Sequence, residues 1–430
     1  MGRSPLTGAH RLAPGLLLAL LCAVGPLPVF AQGSSSSGGL APVTVGVMLP
    51  PQGASDPLQA AVARSLHEGT VMANEELGQN AELLGMPFKT VIETVGDTSG
   101  AVATAKALIA KGVVALVVGL GDAETVAVTG VADKAHVPLL NVLSERDGLR
   151  NQECSPYLFD IAPSAAMYLD ALEGWFVGQG FRKWEFVVSN DQAGASMLDR
   201  ARATLTRRHF AARVSGVVKV APGKPVDPAA LAAVAKDAPD VVVLLLDAND
   251  QLAFVKAYAA SGMRAMITGF PEPAAQTRAF YRAWQAAAGG AQAGYRSEAW
   301  DASLPSFGAV QLNDRFQKRW GEPMDTSSWA AFMAFQVLYN TFTSGGARTP
   351  SAVQAYFEQP GTVFDVWKGV ATSFRPWNHQ LRQSLYLAHI EKDGSVTVVG
   401  TLPEVFKPGT SLVERLDQLG YQKGESRCHL

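Results

Sequence analysis

Acidic side chains recur just beyond the apolar runs of this chain, and clustered carboxylates do the chemistry of cation recognition. Asp122 and Glu124 follow Val113–Val118, Ser144 and Glu145 follow Val137–Val142, and Asp191 follows Glu185–Ser189. Asp247 closes Val241–Asp247, and Glu272 follows Ala265–Gly269. Gln52 stands in the equivalent place after Val43–Leu49, and Trp300 adds aromatic surface, as do Trp377 and His379. Gathered on one surface, these groups would form a ligand-binding rim that favours a cationic or metal-complexed solute and repels an anion. The acids have a second reading as caps, because carboxylates favour the first turn of a helix. The aromatic residues have one too, as hinge or core packing. Spacing alone leaves these alternatives open.

Signals for catalysis are weak, and no catalytic residue, metal ligand or cofactor is assigned. His67-Glu68 begins a zinc-protease motif, but Val71 occupies the second histidine position. Gly119-x-Gly121 lacks the third glycine of a dinucleotide fingerprint, where Glu124 stands. The chain has no G-x-S-x-G elbow. His67, His136, His209, His379 and His389 are scattered without metal spacing. An enzyme is not expected.

The loops can converge only if strands bring them together. Val43–Leu49 is a β-branched apolar run of the kind buried in parallel sheets. Val62, Leu66, Ala73 and Leu77 follow at helical spacing. Phe88–Glu93, Val113–Val118 and Val137–Val142 continue the strands, with Asp97-Thr98 capping a helix that Gly112 stops. Beyond Ala162 the alternation repeats, with strands at Glu185–Ser189, Val214–Val220, Val241–Asp247 and Ala265–Gly269. Two successive βαβ series predict an α/β protein with two open parallel sheets, each covered by helices on both faces. Val310–Trp320, Ser328–Thr343 and Ser351–Phe357 read as helices without strands between them. Leu385–Ile390 and Val396–Val399 read as a hairpin around Asp393-Gly394. In open sheets of this kind, ligands sit beyond the carboxyl ends of strands, which is where the acidic loops fall.

Residues 1–31 carry Arg3, Arg11, a short apolar core and the small-x-small run Val29-Phe30-Ala31, which predicts a signal peptide. Pro14, Pro26 and Pro28 argue against a membrane span, and Leu21 before Cys22 argues against lipidation. Residues 32–41 then form a flexible Gly/Ser tether. The expected location is the periplasm, with no stable membrane insertion after cleavage. A chain of 430 residues is too long for one ordinary core. Its net charge of −2 and lack of a basic tract exclude nucleic acid as a natural partner. Once the leader is removed, Cys154 and Cys428 remain, and an oxidising compartment makes one disulfide the default, with two free thiols as the other reading.

The order and spacing of VTVGVMLPPQG (43–53), HEGTVMANEE (67–76), DTSGAVATAKALIAKGVVALVVG (97–119), HVPLLNVLSE (136–145) and WEFVVSNDQAGASML (184–198) resemble the type I periplasmic binding proteins. These are the solute receptors of branched-chain amino-acid ABC transporters. RPWNHQLRQSLYLAH (375–389) is most similar to the subfamily associated with PQQ-dependent alcohol dehydrogenase systems. The resemblance implies two Rossmann-like lobes joined by a three-strand hinge, a small-molecule ligand held between them and a permease as partner. Lobe 1 would comprise 42–162 and about 295–375, lobe 2 163–294 and about 376–402, with 403–430 as a tail. Where amino-acid receptors carry Ser/Thr pairs for the α-carboxylate, this chain has Gly119–Glu124 and Asn141–Glu145, while Glu272 matches the ammonium-binding acid. The expected function is extracytoplasmic solute binding for an ABC transporter, and the resemblance of residues 375–389 implies a link to PQQ-dependent alcohol oxidation. The alternatives are a periplasmic accessory or sensor protein of the same fold, and a carrier of a metal cation or complex.

Overall fold

A computed structural model describes residues 40–208, 211–403 and 409–430. The expected leader (1–31), all but the last two residues of the tether and His209 lie outside these residues. No described helix is long and apolar enough to cross a membrane.

Two parallel sheets organise the chain. The first lobe runs β1 (Val43–Leu49), α1 (Pro57–Leu83), β2 (Phe88–Thr94), α2 (Thr98–Ala110), β3 (Val113–Val118), α3 (Asp122–Ala135), β4 (Leu139–Asn141) and β5 (Leu158–Asp160). Its strand order is β2-β1-β3-β4-β5, all parallel. The β3 strand is buried at every position, as a central strand covered on both faces must be. Asp97 caps α2 by accepting from the Gly100 amide, and Gly112 ends it with a φ of 79°.

The second lobe runs α4 (Ala165–Gly178), β6 (Lys183–Ser189), α5 (Gln192–Arg208), β7 (Arg213–Val220), α6 (Pro228–Asp237), β8 (Val241–Leu245), α7 (Ala248–Ala260), β9 (Met266–Gly269), α8 (Arg278–Ala288) and β10 (Tyr295–Glu298). The parallel order here is β7-β6-β8-β9. The chain then returns through α9 (Phe307–Trp320), α10 (Thr326–Thr343) and α11 (Pro350–Glu358). Helix α10 packs on α1 so closely that a Cβ at Gly69 would run into the backbone of Ser328. A short ribbon, β11 (Phe364–Asp365) with β12 (Ala371–Thr372), leads to β13 (Leu385–Ile390), β14 (Val396–Leu402) and finally α12 (Leu412–Leu416). The predicted hairpin is β13 with β14, and β10 joins it in a third, antiparallel sheet of order β10-β13-β14.

The segments that pass between the lobes are stitched by buried amides. Gln380 bridges to Asp160 and donates to the carbonyls of Asp160 and Ala162, both at 3.1 Å. Gln383 donates to the Ile161 carbonyl at 2.7 Å and accepts from the buried Lys368 Nζ at 2.7 Å. Lys368 in turn sits over the Trp329 ring, 4.1 Å from its centroid, so its amino group is buried against aromatic faces and hydrogen-bond acceptors. Cys154 and Cys428 are joined by a disulfide, with Cα atoms 5.8 Å apart.

Candidate functional site

The two lobes meet where the strand ends of both sheets face each other. Glu145, in the loop after β4, accepts from Gln276 Nε2 at 3.2 Å. Gln276 ends the short 3-10 turn Pro273–Gln276 beyond β9. Its side chain also donates to the Pro271 carbonyl at 2.6 Å and accepts from Thr326 Oγ1 at 3.1 Å and Tyr168 OH at 3.2 Å. One amide therefore ties α4, the β9 loop, the Glu145 loop and the start of α10. Further out, Asn249 Nδ2 donates to Asp56 Oδ2 at 2.6 Å, linking the N-termini of α7 and α1.

The lobes are closed on each other. Between Leu143, Glu145, Tyr168, Pro273, Gln276 and Thr326 lies a cavity of about 10 Å³, room for about one water molecule. A small organic solute needs several hundred Å³, so it enters only if the lobes separate.

Electrostatics set the character of this interface. Glu145 is buried, and desolvation drives its carboxyl well above its ordinary range. Repulsion from Glu272 and Asp122 adds to the shift, while the Arg150 guanidinium opposes it. Glu272 is half-buried and pushed up to about 7, again chiefly by desolvation. Its oxygens accept from the Ala248 amide at 2.9 Å and the Ala274 amide at 3.5 Å, so it serves two helix starts while facing the opposite lobe's acids. Arg150, almost wholly buried, fixes the Glu145 loop to the hinge by donating to the Ser144 carbonyl at 3.0 Å and to Gln380 Oε1 at 2.9 Å.

Of the predicted rim, the structure brings together Asp122, Ser144, Glu145 and Glu272, with Asp247 acting electrostatically on Glu272. Ser144 Oγ donates to Asp122 Oδ1 at 2.6 Å. The others lie apart. Gln52 is exposed in the turn after β1. Glu124 accepts from Thr98 Oγ1 at 2.6 Å, joining α3 to α2. Asp191 and Asp247 are exposed and accept from the amides of Gly194 and Asp250 at the starts of α5 and α7, as helix-capping acids do. Trp300 is buried and stacked on Trp329, with ring centroids 5.7 Å apart. Trp377 donates to the Tyr421 carbonyl at 3.2 Å, and His379 stacks on Phe159 at 4.2 Å, both outside the cavity lining. Among the described residues, no group of three or more His, Cys, Asp or Glu side chains is placed to hold a metal ion. Sequence reasoning missed Tyr168, Gln276 and Thr326. Gln276 lies four residues past the predicted site acid Glu272, and that position beyond a strand end was the one signal available for it.

Residues 42–395 match the periplasmic binding protein family. This chain belongs to that family. No curated protein matches its sequence. Among solved structures it is similar to a branched-chain amino-acid ABC transporter periplasmic ligand-binding protein from Burkholderia xenovorans, at 16% identity and a TM-score of 0.77, covering 90% of this chain and 99% of that one. It is also similar to a solute-binding protein of an ABC transporter from R. palustris in complex with benzoate, at 17% identity and a TM-score of 0.69, covering 91% and 100%. A leucine-binding protein from Thermotoga maritima aligns at 14% identity with a TM-score of 0.67, over 84% and 98%. At these identities the likeness is one of fold. The α/β architecture of two parallel-sheet lobes is that of the type I periplasmic binding proteins.

Proposed function

We propose that this protein is an extracytoplasmic solute-binding protein that closes on a small organic cation and delivers it to the permease of an ABC transporter. The observation that carries the reading is Glu145 from one lobe, lining a closed cavity that no arginine or lysine lines, with Glu272 of the other lobe near enough to repel it. A protonated amine entering there would replace the protons that desolvation forces onto these carboxyls. A benzoate-like or amino-acid carboxylate would meet repulsion. Lobe separation would admit the solute, and closure would desolvate it and strengthen each polar contact.

The link to PQQ-dependent alcohol oxidation rests on residues 375–389 alone. Arg375, Trp377 and Arg382 in that segment bind the C-terminal tail, so their chemistry selects no solute. A second reading, an accessory or sensor role for the same fold, is favoured by how little space the cleft holds.

A thermal-shift panel separates the two, using putrescine, tyramine, leucine, benzoate, aromatic alcohols and calcium. A solute at 100 times its Kd stabilises the folded protein by about 2.7 kcal/mol. Shifts from the amines, accompanied by competition among them, support the receptor reading. Shifts from benzoate alone overturn the cation preference, and a flat panel favours the accessory role.

A further inference from the structure

The C-terminal tail crosses between the lobes and ends covalently on the one it did not come from. β14 belongs to the third sheet, whose β10–β13 edge continues from the second lobe, for the Ile267 amide of β9 bonds to the Gln292 carbonyl just before β10. Past residues 404–408 the tail first meets the hinge. Arg375 donates from Nε to Asp417 Oδ1 at 3.0 Å and from Nη2 to the carbonyls of Leu416 and Leu419 at 2.7 and 2.8 Å. Arg382 adds a second guanidinium to Asp417, at 2.8 Å. The tail next touches the second lobe. The Gly420 amide donates to Asp170 Oδ2 of α4 at 2.7 Å, and the Arg200 guanidinium of α5 lies 4.9 Å from the Tyr421 ring centroid. It finishes on the first lobe, where Ser426 Oγ donates to the Arg150 carbonyl at 3.1 Å, the Arg427 amide to Asn151 Oδ1 at 2.7 Å, and Cys428 bonds to Cys154.

We infer that residues 411–430 are a strap that restrains separation of the two lobes, locked by the Cys154–Cys428 disulfide and seated on the hinge by Asp417. The lobes cannot rotate apart without stretching this segment or stripping it from Asp170 and Arg200 on one side or from Arg150 and Asn151 on the other. Because the disulfide fixes the far end, the tail cannot simply follow the second lobe as it moves. The same loop that takes the disulfide carries Arg150, whose other bonds reach Ser144 and Gln380, so the strap ends beside the groups that place Glu145.

The test compares the oxidised protein, the same protein reduced while folded, a Cys154→Ser/Cys428→Ser double variant and Asp417→Asn, all without added solute. Small-angle scattering reads the separation of the lobes. Hydrogen exchange reads the amides of Ala165 and Ala166, which bond across to Glu145 and Asp147. Released forms are expected to show a larger radius of gyration and about tenfold faster exchange at those two amides, with exchange in the β3 strand unchanged. Equal scattering and equal exchange in oxidised and released protein overturn the strap, even if the melting temperature falls, because the tail would then be a staple of the fold only. If the double variant does not fold, reduction of the folded protein and Asp417→Asn give the same readouts.

Discussion

Glu145 and Glu272 make closure of the lobes a protonation equilibrium. Both are carboxyls raised above their ordinary value of 4.5, Glu272 to about 7. A raised group gives its full stabilisation below the unfolded pKa and loses it as pH rises through the folded one. The solute-free protein should therefore lose thermal stability between about pH 5 and pH 8. Glu145→Gln and Glu272→Gln should each flatten that slope, and Glu272→Gln should also lower stability at every pH, since it leaves the Ala248 amide with a weaker acceptor. Melts recorded across this range check both. A cationic solute binds the ionised carboxyls, so its affinity should rise with pH over the same interval, whereas an anion's should fall; titration calorimetry at the two ends of the range distinguishes them. The acids of the rim could be read in the sequence because they fall at strand ends. Their division of labour could not, since capping and ligand-facing carboxylates occupy the same positions. Glu272 caps two helix starts and also acts on Glu145 across the interface, while Asp191 is seen only capping.

At the scale of elements, close packing matters most where α1 meets α10. Gly69 lets the Ser328 turn sit directly on the α1 backbone, and Ser65 donates to Asp325, the residue that caps α10. Gly69→Ala should force the helices apart and cost about 1–3 kcal/mol. Chemical denaturation would measure the loss, with Gly130→Ala on the open surface of α3 as a near-neutral comparison. The strands that were legible in sequence are those with a continuous β-branched run: β1 and β3 lie where the runs place them. Among the shorter strands, β5 and β10 were not read. β10 is Tyr-Arg-Ser-Glu, and three of its four residues are buried only because the third sheet and the Phe280 and Trp284 rings receive them. Helix α8 went unread although Phe280, Tyr281, Trp284 and Ala288 mark one face at helical spacing. The hinge glutamines look like surface residues by type, and only the crossing carbonyls explain their burial.

For the molecule as a whole, the disulfide closes a ring of 274 residues in sequence separation, which holds the entire second lobe. Cutting it frees the unfolded chain and should lower stability by about 2–5 kcal/mol. Denaturant melts of the Cys154→Ser/Cys428→Ser variant would read this as an earlier midpoint. The ring also decides how the protein answers mechanical force. Residues near Leu40 lead straight into β1 of the first lobe, and Cys428 is bonded back to that same lobe. Tension applied between Leu40 and Leu430 therefore travels through residues 40–154 and the sulfur bridge, and bypasses every residue from 155 to 427. In optical tweezers the oxidised protein should yield only the short contour of its first segment, with the second lobe slack and unloaded. After reduction the same pull would run through both lobes in series.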